Sequence, residues 1–176
     1  MAMRIERVTG DFGDYDLLAA LYTRAFPENE RRPLEPLVSD STGHGEVMAF
    51  YDGAVFCGFA CLITWRNISH IIYFAIDEKL RGRGYGAQAL ELMRGVKNNC
   101  RMIADLEVVR EDASNNIQRE RRMAFYMRNG YAESPVRYSW RGDDYVILVQ
   151  GGTLTESEFK DFWSSVCGAN NLLSQY

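Results

Sequence analysis

The sequence predicts an α/β (α+β) domain, with a mixed, largely antiparallel central sheet flanked by helices on both faces. Three observations support this. Two turn signals, Asp52-Gly53 and Gly142-Asp143-Asp144, each join strand-like runs as hairpins. Helix-period segments alternate with those runs along the chain. One apolar run, Ile71-Ile72-Tyr73-Phe74-Ala75-Ile76, breaks into a glycine-rich turn and reopens as an amphipathic helix to about Asn98.

Taken in order, Met3 to Val8 alternate as a first strand. Tyr15 to Ala25 read as a helix with Leu17, Leu18, Leu21, Tyr22 and Ala25 as its buried stripe. Pro27 and Pro33 interrupt any continuation, because proline removes a ladder donor, and a short helix follows around Leu34 to Ser39. Val47 to Tyr51 and Ala54 to Trp65 flank the first hairpin turn, and Asn67-Ile68-Ser69 leads into the strand ending at Ile76. Arg101 to Val109 form another strand, with Asp105 and Glu107 as polar interruptions. The helix through Tyr126 stops at Gly130, with Ile117, Ala124 and Met127 as its core stripe. Tyr138 to Arg141 and Tyr145 to Gln150 make the closing hairpin, and Thr155-Glu156-Ser157-Glu158 is a capping box opening a helix through about Val166.

The 176 residues suit one domain, 1–176, with a sizeable core. An apolar share of 47% and a net charge of −4 describe a globular, acidic chain, which argues against a nucleic-acid partner. An acidic body around a locally basic turn suits an anionic cofactor at one place and a cationic amine at another. Cys57, Cys61, Cys100 and Cys167 lack metal-site spacing and read as buried thiols of a reducing compartment. No catalytic metal is expected. With no apolar signal core and no window long enough for a bilayer, there is no membrane partner and the expected location is cytoplasmic.

Arg81-Gly82-Arg83-Gly84-Tyr85-Gly86 is a device for holding phosphate. Glycines admit unusual dihedrals and remove Cβ atoms, successive N–H groups converge, and the helix N-terminus adds positive potential. No Lys-Ser or Lys-Thr follows, which excludes a triphosphate loop, and the spacing differs from a dinucleotide Gly-x-Gly-x-x-Gly. The segment fits Arg/Gln-x-x-Gly-x-Gly/Ala at every fixed position. Downstream, Phe125-Tyr126-Met127-Arg128-Asn129-Gly130-Tyr131 fits Phe/Leu-Tyr-x-x-x-Gly-Phe/Tyr. In both segments the chain resembles the GNAT superfamily of acetyl-CoA-dependent N-acetyltransferases, over roughly residues 45 to 150.

The resemblance implies direct attack of an amine on acetyl-CoA, the co-substrate. It implies that the pyrophosphate meets residues Arg81 to Gly86, and that backbone groups of Phe74, Ala75 and Ile76 hold the acetyl carbonyl and the pantetheine arm. Tyr126 would line the cofactor and protonate the leaving thiolate, a phenol near pKa 10 being close to the thiolate it serves. Where many members carry Asn and Ala, this chain has Arg119 and Arg122, either phosphate ligands or a solvated helix face. Two residues compete as base. His70 is in phase with Ile72, Phe74 and Ile76 at a period of two, although it could instead cap the strand at the surface; Glu107 is a carboxylate in an otherwise apolar run. Spacing favours His70. His44, in a loop, reads as a solvent residue. The acceptor, a small-molecule or peptidyl amine, is not identified, and a non-catalytic acyl-CoA-binding sensor or partner module is the alternative. The aromatic Phe159-Phe162-Trp163 of the last helix, or an exposed strand edge, would support a homodimer.

Overall fold

A computed structural model describes residues 2–40 and 42–170. Seven strands form one sheet: β1 (Arg4–Arg7), β2 (Gly45–Asp52), β3 (Val55–Trp65), β4 (Ile68–Ile76), β5 (Arg101–Glu107), β6 (Ala132–Trp140) and β7 (Asp143–Gln150). Their spatial order is β1-β2-β3-β4-β5-β7-β6, and every pairing is antiparallel except β4 with β5. Helices α1 (Tyr15–Ala25), α2 (Glu35–Val38) and α5 (Glu156–Asn170) cover one face; α3 (Tyr85–Val96) and α4 (Asn116–Arg128) cover the other. The expected architecture is therefore the observed one. No helix among the described residues is long and apolar enough to cross a membrane.

The local signals act where expected, with informative offsets. The capping box closes reciprocally: the Thr155 N–H donates to Glu158 Oε2 at 2.9 Å, and the Glu158 N–H donates to Thr155 Oγ1 at 3.2 Å. At the end of α4, Gly130 is left-handed, its N–H donates to the Met127 carbonyl, and the Tyr131 N–H reaches back to the Tyr126 carbonyl at 3.2 Å. The first hairpin turns on Gly53-Ala54, one residue later than the Asp52-Gly53 signal, because Asp52 still pairs with Val55.

Two helix faces differ from expectation. In α4, Ile117 and Met127 are 65% and 48% exposed; the buried positions are Arg119 and Tyr126, with Met123 packed behind them. The hydrogen bonds of Arg119, with Met123, Phe125 and Tyr126 packed beside it, hold this side of the helix to the sheet, so the apolar stripe Ile117, Ala124, Met127 faces outward. In α1, Leu17 is exposed while Leu18, Leu21 and Tyr22 form the core contact. The aromatic side of α5 turns inward: Phe162 is fully buried, and Phe159 and Trp163 pack against the same core. That removes α5 as the aromatic surface for a homodimer.

Strand β4 contains the irregularity that matters most. Cys61 pairs with Tyr73 and Leu62 with Ile71, so Ile72 is an extra residue, a β-bulge. The bulge reverses side-chain parity. His70, Ile72, Tyr73 and Ala75 face the α1/α5 side, whereas Ile71, Phe74 and Ile76 face the α3/α4 side. The expected phase of His70 with Phe74 and Ile76 is thus broken at Ile72.

Gly58 of β3 lies against this strand so closely that a Cβ would run into the Ala75 carbonyl oxygen and approach Ile76 Cα. Backbone cannot yield as a flexible side chain can. Gly58→Ala is expected to destabilise the protein by about 2 kcal/mol or more, an overpacking cost read from the urea midpoint.

Candidate functional site

The parallel pairing of β4 and β5 runs for four residues, from Ile68↔Arg101 to Ile71↔Ala104, and then stops. β4 continues to Ile76 beside β3, and β5 continues to Glu107 beside β7. The two strands separate, leaving the inner backbone groups of each without a ladder partner. On β4, the Asp77 N–H donates to the Cys57 carbonyl at 2.9 Å, and the Ala75 carbonyl lies against Gly58, so these two residues face β3. By strand alternation, Phe74 and Ile76 present their backbone to the gap. The Ile76 carbonyl accordingly accepts from Arg81 Nε at 3.4 Å. Ala75, expected with them, faces the other way.

At the α3/α4 end of the gap lies the glycine turn. Asp77 accepts the Lys79 N–H and starts a single 3₁₀ turn, Glu78–Leu80. Gly82 and Gly84 then adopt φ of +75° and +83°, left-handed values that suit glycine, and Gly84 is the N-cap of α3. The first backbone bond of α3 is from Gln88 to the Gly84 carbonyl, so the N–H groups of Tyr85, Gly86 and Ala87 point out of the helix end. Arg81 and Arg83 are exposed beside them. Tyr85 donates to Asp52 Oδ2 at 2.6 Å, which ties the turn to the first hairpin. Gly86 has a second duty: a Cβ there would sit 3.1 Å from the Phe125 ring, so its smallness also sets the approach of α3 to α4. Open donors, absent Cβ atoms and two arginines fit a pyrophosphate.

On the opposite face the gap opens into a cavity of about 360 Å³, reached by His70, Ile72, Asp105 and Glu107 from the two diverging strands. His70 is not a surface cap. It is 1% exposed, packed against Phe159, Phe162 and Trp163, with Nε2 3.1 Å from Asp105 Oδ1. Tyr138 donates to the other Asp105 oxygen. Burial opposes the Asp105 charge, yet these bonds outweigh it and hold the carboxyl below its ordinary 3.8. An ionised carboxylate only accepts, so Nε2 of His70 carries the hydrogen; Nδ1 is buried without a hydrogen-bond partner among the described residues.

Glu107 occupies an ionic setting, which corrects the expectation of an isolated carboxylate in an apolar run. Its oxygens lie 3.3 Å from Arg119 and 3.5 Å from Arg122. Arg119 is 6% exposed and also donates to Asn115, the Val108 carbonyl and Asp143, so it is neither a solvated residue nor open to a phosphate. Arg122 is half exposed and lines the cavity on the face away from the glycine turn. Tyr126 is buried between Phe125 and Tyr131, on the α3/α4 side. Desolvation pushes its phenol above the usual range; Arg122 opposes the shift. His44, expected in solvent, is half-buried with Nδ1 2.9 Å from the Thr64 carbonyl.

The sequence carries no motif that singles out Glu30. It lies in the Pro27–Pro33 segment and enters the cavity from above, with its backbone carbonyl held by the Tyr73 hydroxyl at 2.7 Å. Burial, then the nearby Glu107, raises its carboxyl pKa, against Arg122 and Arg141. The only signal was the conformational restriction imposed by the two prolines.

A glycine turn suited to an anion on one side of the sheet and a cavity holding three carboxylates on the other have the layout of a group transferase. Residues 15–131 match the family model described as the acetyltransferase (GNAT) family, and the chain belongs to that family, whose members are acyltransferases. Its fold is similar to that of a GNAT-family protein from Bacteroides thetaiotaomicron (TM-score 0.76, 22% identity, 94% of this chain and 97% of that one). It is also similar to the ribosomal-protein-S18-alanine N-acetyltransferase from Escherichia coli (TM-score 0.60, 16% identity, 87% and 96%). A GNAT-family acetyltransferase from Elizabethkingia anophelis with acetyl-CoA bound gives a TM-score of 0.55 at 18% identity, over 84% and 97%. At these identities the likeness is one of fold. No curated protein sequence matches the chain.

The pH dependence of stability tests the Asp105 network. A carboxyl held below 3.8 in the folded state contributes stability that is present above the unfolded pKa and lost as pH falls through the folded value. Asp105→Asn should therefore melt lower than wild type at neutral pH, and the difference should shrink only below pH 3.8. Melting curves from pH 7 downward measure both limbs.

Proposed function

We propose that the protein transfers the acetyl group of acetyl-CoA to an amine that enters from the α1/α5 face. The observation that carries this reading is the end of the β4–β5 ladder at Ile71 and Ala104, with the phosphate-suited turn following β4 on the α3/α4 side and a cavity holding Glu30, Asp105 and Glu107 on the α1/α5 side. Acetyl-CoA, when bound, supplies the thioester carbonyl that the amine attacks. In this reading the N–H groups of Gly82 to Ala87, with Arg81 and Arg83, hold the pyrophosphate. The Phe74 and Ile76 backbone donates into the gap, where fixed N–H groups stabilise a developing oxyanion better than reorganising water does.

Tyr126 is the proposed proton donor to the departing sulfur. Its hydroxyl makes no hydrogen bond among the described residues. Because burial raises its pKa, the transfer is balanced only against a sulfur equally removed from water. His70 reads as a positioning residue under Asp105, since its ring is almost wholly covered. Glu107 is committed to two arginines, so the proposed acceptor of the amine proton is Glu30, whose carboxyl lies above its usual range and faces the same cavity. A cytoplasmic location agrees with four free cysteines. A homodimer would use a sheet edge, β1 or β6.

Thiol release from acetyl-CoA in the presence of an amine panel tests the reaction itself; no release above hydrolysis with any amine would refute it. Two variants test the parts. Gly84→Val combines a β-branched side chain with a φ of +83° and should raise the coenzyme A dissociation constant by about tenfold or more in calorimetry, whereas unchanged affinity would make the turn purely structural. Tyr126→Phe keeps the ring packed and removes the proton. Turnover should fall by about 10²-fold with acetyl-CoA affinity preserved.

A further inference from the structure

The cavity has more definite chemistry than an amine site requires. One wall is a run of parallel rings: Tyr145 on Tyr138 with centroids 5.0 Å apart and 7° between planes, then Tyr138 on Phe159 at 6.2 Å and 20°. Trp163 closes this wall edge-on to Phe159 at 6.1 Å. Opposite stand Phe26 and Tyr73, edge to face at 4.9 Å. The rings come from the C-cap of α1 and from β4, β6, β7 and α5, five places distant in sequence, so the apolar lining is a property of the fold and not of one loop.

Three carboxylates face this space, and they are not equivalent. Asp105 is satisfied by His70 and Tyr138, and Glu107 by Arg119 and Arg122. The Glu30 carboxylate, half-buried, makes no hydrogen bond or ion pair among the described residues. The charges that bear on it are Glu107 from β5, Arg122 from α4, Asp143 from β7 and Arg141 from the β6–β7 turn. Its own loop is fixed: the Tyr73 hydroxyl holds the Glu30 carbonyl, Tyr22 bonds both backbone groups of Arg32, and Arg141 donates to the Asn29 carbonyl. A carboxylate without a partner among the described residues, on a loop anchored to the strand that carries Phe74, is a place for a ligand's cation.

We propose that the acceptor is a primary amine carried on a short aliphatic arm from an aromatic ring, with the ring against the Tyr145–Tyr138–Phe159 wall and the ammonium at Glu30. The inference rests on the acetyl-transfer reading above and names the substrate class of that site. A flat ring gains stacking and edge contacts from these walls, and an ammonium beside them gains cation–π attraction as well as its ion pair. A polyamine or an aminosugar would bury hydrated groups against aromatic surface with one open carboxylate to receive them, which costs binding energy. A peptide N-terminus would bring backbone polar groups for which this lining offers few partners.

The test uses the whole chain and four probe classes: phenylethylamine and tryptamine, spermidine, an aminoglycoside, and a peptide beginning with alanine. Binding is read without acetyl-CoA by calorimetry, and transfer from thiol release with it. The aryl amines should bind more tightly than the other classes and exceed them in kcat/KM by about tenfold or more. Glu30→Gln should weaken aryl-amine binding by about tenfold while leaving coenzyme A affinity unchanged and without lowering the melting temperature, since its carboxylate holds nothing in the fold and its charge is opposed by burial and Glu107. Preference for spermidine, the aminoglycoside or the peptide overturns the class while keeping the transferase. Equal binding by wild type and Glu30→Gln also overturns it. Aryl amines that bind tightly but release no thiol support the class and overturn the acetyl-transfer reading instead.

Discussion

The separation of β4 from β5 is the constraint on which the rest of the site depends. A parallel pair that continued to Glu107 would bond the Phe74 and Ile76 backbone internally and close the sheet between its two faces. Separation costs only the inner ladder, because each strand keeps its outer neighbour, β3 for β4 and β7 for β5. The bulge at Ile72 sits one residue past the last parallel pair, and bulges bend a strand and increase its local twist. Gly58 completes the device by letting β3 follow β4 closely where a side chain would force it away.

The opened strands create an electrostatic problem that β5 answers twice. Asp105 and Glu107 lie two residues apart on the same side of one strand, beside each other in the cavity lining. Unpaired carboxylates removed from water are costly, so each must recruit donors from elsewhere. Asp105 takes a histidine from β4 and a tyrosine from β6; Glu107 takes two arginines one helical turn apart on α4. Arg119 then reaches on to Asp143 at 2.7 Å, and this chain of ion pairs fixes which side of α4 meets the sheet. Those ion pairs act with Met123, Phe125 and Tyr126, and not with the stripe of Ile117, Ala124 and Met127, to orient that helix.

What was legible in the sequence was local. A capping box, a glycine helix stop and a strand–glycine turn–helix unit are complete within a few residues, and each signal appears in the structure at its place. What was not legible depends on partners far away. Ile72 looks like any strand residue, and only its unpaired place opposite Cys61 and Leu62 makes it a bulge that flips the phase of His70. The face of α4 was misassigned because periodicity counts apolar residues and cannot know that Arg119 finds Glu107 and Asp143. Glu30 is one acid among several in a polar loop until α1, β4 and the β6–β7 turn enclose it.

The charge layout also bears on whether the fold binds one ligand or joins two. A module that only senses an acyl-CoA needs donors and positive potential for a polyanion, and the turn from Arg81 to Ala87 offers both. The open Glu30 carboxylate on the far side of the sheet contributes nothing to such a ligand. Holding Asp105 ionised beneath aromatic walls requires a buried histidine with an unbonded Nδ1, a cost that folding alone gives no reason to keep. Those groups become useful when a second molecule of opposite charge enters from the α1/α5 face. A turn suited to an anion and a cavity with an open carboxylate, on opposite sides of one break in a sheet ladder, favour transfer between two substrates over the sensing of one.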